Sequence, residues 1–355
     1  MYMSRTISRR QALATGAVAT GAMIGSGCSQ SNEQQTQTPS ATSQSPANYW
    51  NPGPDKSLVK DLTPGSTPIR LGGYIRRSDS KSITEVVKDL HDLGLRGAIA
   101  TADDWHDAED SVVREFIEAQ NKYDVVIFEV GGYRNILHPD EAKRKEFIER
   151  LAFSLEAAER IGCQMVGTIS GSMSDIGVEY VDNYNVNPDN WTIEAWNRLT
   201  DSLKEVLRLT SGLKAGLGIE AQVTTNIDGP KAHRRLIDEM GDPRISVNLD
   251  PTNMCHFYNY YHTTELINEC FDTLGEDIHG CHAKDTFIFP HQQTVHVQEV
   301  CPGRGVLDYE TYLVRLSRMK WSRTLLPEHI PADQFDEAYA YLRKVADRVG
   351  VTFLS

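Results

Sequence analysis

From Ile69 onward the sequence alternates eight short apolar runs with eight longer amphipathic ones, and that alternation limits the fold more than any other feature. Residues 69–75, 95–101, 125–130, 165–170, 215–221, 245–250, 278–284 and 324–328 read as strands. The run 125–130 is continuously apolar but for Glu129 and rich in β-branched residues, the pattern of a strand covered on both faces. Between the strands, residues 83–93 bring Ile83, Val86, Val87, Leu90 and Leu93 onto one helical face. Further helices are predicted over 108–123, 140–161, 191–209, 230–240, 264–274, 309–319 and 334–349, with a plain loop excursion between 284 and 309. Eight strand–helix units in succession predict an α/β fold, a single closed (β/α)8 barrel of the TIM type over residues 65–355. An open doubly wound sheet usually carries a glycine-rich phosphate loop after its first strand. Leu71-Gly72-Gly73-Tyr74 lacks that spacing.

The segment ahead of the barrel has another purpose. Residues 1–27 combine a basic start with a mild apolar run too short to span a bilayer, the form of an export signal. Ser8-Arg9-Arg10-Gln11-Ala12-Leu13 resembles a twin-arginine signal, a type that exports proteins already folded, and Gly25-Ser26-Gly27-Cys28 resembles a lipoprotein cleavage box with Cys28 as the lipidated residue. Residues 28–64 begin as a Ser/Gln/Thr/Pro tether with almost nothing apolar to bury, and end as an irregular lead-in. The expected location is therefore periplasmic or membrane-tethered, facing away from the cytoplasm. A lipid at Cys28 is the only membrane contact expected.

Charge narrows the partners. The 355-residue chain carries 49 acidic and 36 basic side chains, a formal charge of −13. The first 27 residues hold three arginines and no acid, so the remainder stands at −16. Such a surface repels phosphate backbones and anionic lipid, which disfavours nucleic-acid and peripheral membrane binding. The six cysteines show no metal-finger or disulfide spacing, and five of them read as core thiols.

Four of the later strands end in groups that bind metal or move protons. Glu220, Asp250, His282 and Glu328 are separated by 30, 32 and 46 residues, and the first two steps each match one strand–helix–strand crossover. In a parallel barrel, such strand ends converge on one face. Three carboxylates and one imidazole suit a single divalent ion, Mn²⁺, Mg²⁺, Co²⁺ or Zn²⁺, with positions left for substrate oxygens.

The motifs around these residues, Ile219-Glu220, Asn248-Leu249-Asp250-Pro251-Thr252-Asn253-Met254, His282-Ala283-Lys284-Asp285, Pro302-Gly303-Arg304-Gly305 and Pro327-Glu328-His329, resemble the xylose-isomerase-like superfamily of sugar isomerases and epimerases. Glu129-Val130-Gly131 followed by Asn135 resembles one branch of it. The resemblance covers the whole barrel. It implies that Glu220, Asp250, His282 and Glu328 ligate one divalent metal, and that Glu220 and Glu328 remove and return a substrate proton. Many epimerases of the group place His three residues after the Asp. This chain has Asn253 there, a residue able to hydrogen-bond a sugar hydroxyl.

Lys284 is expected to stabilise a developing oxyanion, the alternative being a salt bridge to Asp285. Arg304, Glu129 and His256 are candidate substrate contacts, with turn, loop or core roles as the alternatives. The expected activity is an exported, metal-dependent isomerase or epimerase of an unphosphorylated keto-sugar, acting through an enediolate. β-Elimination on a keto-sugar or 3-keto-glycoside is the alternative chemistry. A metal-dependent endonuclease of the same superfamily is disfavoured by charge, and a sugar-binding lipoprotein without catalysis by the intact Glu220 and Glu328. The oligomeric state is left open.

Overall fold

The computed structural model describes residues 60–176, 185–289 and 293–354. The expected export signal, Cys28 and most of the expected tether lie outside the described residues. The strands and helices follow in the order β1 (Arg70–Tyr74), α1 (Ile83–Asp92), β2 (Gly97–Thr101), α2 (Ala102–Trp105), α3 (Asp110–Tyr123), β3 (Val126–Gly131), α4 (Glu141–Arg160), β4 (Met165–Ile169), α5 (Ile193–Leu209), β5 (Gly216–Glu220) and α6 (Pro230–Met240). They continue with β6 (Ile245–Leu249), α7 (Thr263–Leu274), β7 (Ile278–Ala283), β8 (Asp285–Ile288), β9 (Val297–Val300), α8 (Tyr309–Ser317), β10 (Thr324–Pro327) and α9 (Phe335–Val349). Eight parallel strands close in the order β1-β10-β7-β6-β5-β4-β3-β2, the (β/α)8 barrel that the alternation predicts.

Local sequence sets the helix ends. Ser82 and Glu85 form a reciprocal capping box at the start of α1, and Asp140 accepts the amides of Ala142 and Lys143 to start α4. Gly241 and Gly350, both left-handed, stop α6 and α9. The described lead-in is docked onto the barrel. Lys60 pairs with Asp308 at 2.9 Å, and the Arg318 guanidinium holds Thr63 O and the Asp61 carboxylate.

Strand periodicity sorts side chains into two layers. Leu217, Ile219, Val247, Leu249, Cys281 and Ala283 belong to the large core between strands and helices. Ile99, Phe128, Met165 and Leu326 form a separate buried cluster with Tyr74 packed against it, the floor beneath the site. Glycines keep room there. A Cβ at Gly280 would meet Met165 Cε at 2.5 Å and Asn248 Oδ1 at 2.6 Å. Cys163, Cys255, Cys270, Cys281 and Cys301 are all buried free thiols.

One excursion departs from the expected loop. β8 and β9 form an antiparallel hairpin, Asp285 opposite Val300, placed between β7 and α8. Its base is pinned by the Asp285 carboxylate, which accepts the backbone N–H groups of Thr286, Gly303, Gly305 and Leu307 at 2.9–3.0 Å. A Cβ at Gly305 would lie 2.3 Å from Asp285 Oδ1, so only glycine lets the backbone come this close. Burial nonetheless pushes the Asp285 carboxyl up to about 6, against those donors.

Candidate metal centre

The four residues at the strand ends converge. Glu220 ends β5, Asp250 follows β6, His282 lies near the end of β7 and Glu328 follows β10, strands that are consecutive around the barrel. All four are buried, and one ligand atom from each lies within 4.8 Å of the others. His282 Nδ1 faces the acids, 3.0 Å from Glu328 Oε2 and 3.7 Å from Glu220 Oε2. Its Nε2 points the other way and donates to Glu129 Oε2 at 3.1 Å. Glu129 also accepts from the Asn248 amide at 2.9 Å, and the Tyr133 hydroxyl lies 3.2 Å from its other oxygen. A carboxylate behind a histidine fixes which ring nitrogen faces the ion and makes that nitrogen more basic.

The donor set fits a divalent cation. His282 Nδ1 and Asp250 Oδ2 are fully buried yet make no well-angled hydrogen bond, although Asp250 Oδ2 lies 2.9 Å from Lys284 Nζ. Buried polar atoms left this way are costly unless an ion or water satisfies them. The carboxylates of Glu129, Glu220, Asp250 and Glu328 outnumber the cationic groups among them. Without an ion the compensation falls to two side chains. Burial opposes the His282 proton, but Glu328, Glu220 and Glu129 overcome it and hold the ring well above its ordinary pKa. Lys284 is likewise desolvated and likewise raised, by Asp250, Glu328 and Glu220. Glu328 is held well below the carboxylate range because His282 and Lys284 outweigh its burial. Binding a divalent ion would release the His282 proton.

Lys284 reaches across the site. Its Nζ lies 2.8 Å from Glu328 and 3.4 Å from Glu299, and its pairing is with these acids and Asp250 rather than with neighbouring Asp285. Asn253 donates its amide to Glu220 Oε1, while the Tyr133 hydroxyl donates to Glu220 Oε2 at 2.7 Å. Glu220, Lys284, Asn253, Glu129 and Glu328 all line one cavity of about 600 Å³ at the C-terminal end of the barrel.

Two expected substrate contacts stand elsewhere. Arg304 forks onto Glu337 of α9 and does not line the cavity, because its flanking glycines serve the Asp285 clamp. His256 is exposed, with its Nδ1 accepting from Tyr258 N, and it too is absent from the lining. Glu129 is fully buried, and its bonds go to His282 and Asn248.

Four contributors were given no role in the sequence reading, although Asn248 and His329 stand in its motifs. Asn248 could have been found, since it lies on β6 two residues before Asp250. Tyr133 and Glu299 gave no periodic signal. His329 follows Glu328 with a left-handed backbone, φ 54°, and lies 3.3 Å from Glu299. A non-glycine residue in that conformation is held there by its surroundings, a feature that gathers at functional sites.

Comparison with known proteins bears on the fold and the family. A search of curated protein sequences gives no match. In structure, the chain is similar to 3-keto-D-glucoside 4-epimerase from E. coli, with 15% identity, 78% of this chain and 99% of that chain covered, and a TM-score of 0.54. It is similar to a xylose isomerase-like TIM barrel protein from Mycobacterium smegmatis in complex with magnesium, with 14% identity, 80% and 98% covered, and a TM-score of 0.55. Endonuclease IV from Thermus thermophilus shares the fold at 15% identity, 79% and 99% covered, with a TM-score of 0.59. At the level of sequence families, residues 87–345 match the profile of the xylose isomerase-like TIM barrel, and the chain belongs to that family.

Proposed function

We propose that this protein is a divalent-metal-dependent isomerase or epimerase of an unphosphorylated keto-sugar or sugar derivative. The observation that carries the reading is the convergence of Glu220, Asp250, His282 and Glu328 beside a cavity of about 600 Å³, with Glu220, Glu328 and Lys284 in its lining. A divalent ion held by these four residues would supply Lewis-acid polarisation of a substrate carbonyl and its neighbouring hydroxyl.

The chain's own groups supply the rest. Glu220 and Glu328 come from β5 and β10, the two strands that flank β6 and β7, so they approach a bound substrate from different sides. One carboxylate takes the proton next to the carbonyl, and the other returns one, which inverts or relocates the centre. Tyr133 and Asn253 hold the Glu220 oxygens in place. The Lys284 ammonium, kept charged by its acids, stabilises the enediolate oxygen that develops as the proton leaves. Asn253 is also placed to contact a sugar hydroxyl, since it lines the cavity. The single imidazole in the set and the charge of −13 both weigh against a DNA substrate. The N-terminal motifs support an exported, lipid-tethered form.

The test is turnover of a panel of keto-sugars and 3-keto-glycosides by metal-loaded protein in deuterated water. Solvent deuterium appearing in a new isomer supports the proposal. An unsaturated product identifies elimination instead. Glu220→Gln should abolish exchange while leaving the circular dichroism spectrum and melting temperature close to wild type, and retained exchange would refute its proton-transfer role.

A further inference from the structure

The cavity has two electrically opposite ends. The metal end, built on β5, β6, β7 and β10, is crowded with carboxylates. The other end lies over β1, β2 and β3 and is lined by Arg76, Arg134 and Arg150, from the segments after β1 and β3 and from α4. Among the described residues none of these three arginines makes an ion pair, whereas many others in the chain do, such as Arg70, Arg144, Arg160, Arg198 and Arg244. Arg134 bonds only the Tyr133 carbonyl, at 2.7 Å, and its Nε is buried with no partner. Arg150 stands over the Phe153 ring at 5.9 Å from the centroid. Asp103, exposed at the same end, pairs with none of them. A buried guanidinium N–H without an acceptor is unfavourable, and a planar oxyanion is the group whose geometry matches the guanidinium fork.

We propose that these arginines form a second subsite for an anionic substituent of the substrate, so that the ligand is an acidic sugar. Resting on the reading above, in which the sugar is unphosphorylated, the substituent is a carboxylate. The two ends are joined by consecutive residues: Tyr133 donates its hydroxyl to Glu220, and its carbonyl accepts from Arg134. An acidic sugar is therefore oriented by charge alone. Its carboxylate is repelled by Glu129, Glu220, Glu299 and Glu328 and drawn to the arginines, which leaves its carbonyl end at the metal set.

Calorimetric titration of the full-length, Mn²⁺-loaded protein with D-fructuronate, D-fructose and D-fructose 6-phosphate tests this, because the three differ only at C6. Fructuronate should bind about tenfold tighter than fructose or better, the margin expected of a charge-assisted bond. That margin should shrink with added salt. Arg134→Gln and the more exposed Arg150→Gln should each bring the fructuronate-to-fructose ratio towards one, with bound Mn²⁺ per chain reporting the integrity of the fold. Equal affinity for the two sugars, no binding of fructuronate, or a ratio unchanged in both variants would overturn the proposal. Stronger binding of the 6-phosphate than of fructuronate would overturn the carboxylate assignment. Protein that holds no Mn²⁺ at all contradicts the metal reading instead, so the two failures are distinguishable.

Discussion

Removing the carboxylate behind His282 should weaken metal binding without touching a ligand. Glu129 Oε2 accepts His282 Nε2–H at 3.1 Å in a fully buried setting. In Glu129→Gln the side chain keeps its volume but loses the charge that makes the opposite nitrogen a strong donor. Its carbonyl oxygen can still take the bonds from His282 and Asn248, which share Oε2, so the variant isolates the loss of charge. Losses of about 10- to 100-fold in metal affinity are typical when such a partner is removed, about 1.4 to 2.8 kcal/mol. The same contact can be disturbed from below. A Cβ at Gly167 would sit 2.1 Å from Glu129 Oε1, so Gly167→Ala must push the carboxylate by more than about 1 Å to reach ordinary contact. That is enough to break the bond to His282. Competition titration against a chromophoric chelator measures both variants. Wild-type affinity in both would refute the role assigned to Glu129.

Three further outcomes follow from other parts of the molecule. His233 is buried on α6 with Nε2 on the Ile219 carbonyl at 2.9 Å, and burial pushes its pKa down to about 4 from an ordinary 6.5. Its unfolded form takes up a proton below pH 6.5 and its folded form does not until about pH 4. This contribution is whole above pH 6.5 and is lost as the pH falls to 4, about 3 kcal/mol in all. Urea unfolding at pH 7 and 4.5 should show the loss, and His233→Gln should lessen it; an equal loss in both proteins would contradict the account. Asp285→Asn presents an amide to two of the four backbone N–H donors and should cost about 2 kcal/mol or more, read by thermal melting. Cys28→Ser should move the protein from the membrane fraction to the soluble exported fraction, and no change in fractionation would end the lipid-anchor proposal.

The barrel was legible because each strand is an apolar run bounded by helices of clear period, so the crossover lengths could be counted. The four convergent residues were legible for a related reason. Strand ends in such a barrel share one face, and Glu220, Asp250, His282 and Glu328 each stand at one. Glu129, expected as a substrate contact, has another place, since it lies two residues before the end of β3, above Gly167 and behind His282. Only the packed barrel separates a group facing the substrate from one facing the histidine. The β8–β9 hairpin could not be read because each strand has four residues and much of β9 is exposed. Arg304 misled because glycines around an arginine suggest a binding loop, whereas here they let the backbone close on Asp285. The pairing of Lys284 was decided by charge, as several converging acids outweigh one sequence neighbour already bound to backbone amides.

The central claim is that Glu220, Asp250, His282 and Glu328 hold one divalent ion on which activity depends. Elemental analysis of the purified full-length protein, beside His282→Ala and Asp250→Ala, addresses it directly. About one divalent ion per chain in the wild type, lost in both variants and on chelation together with activity, is the expected result. An active protein without metal, or metal content indifferent to both substitutions, would contradict it.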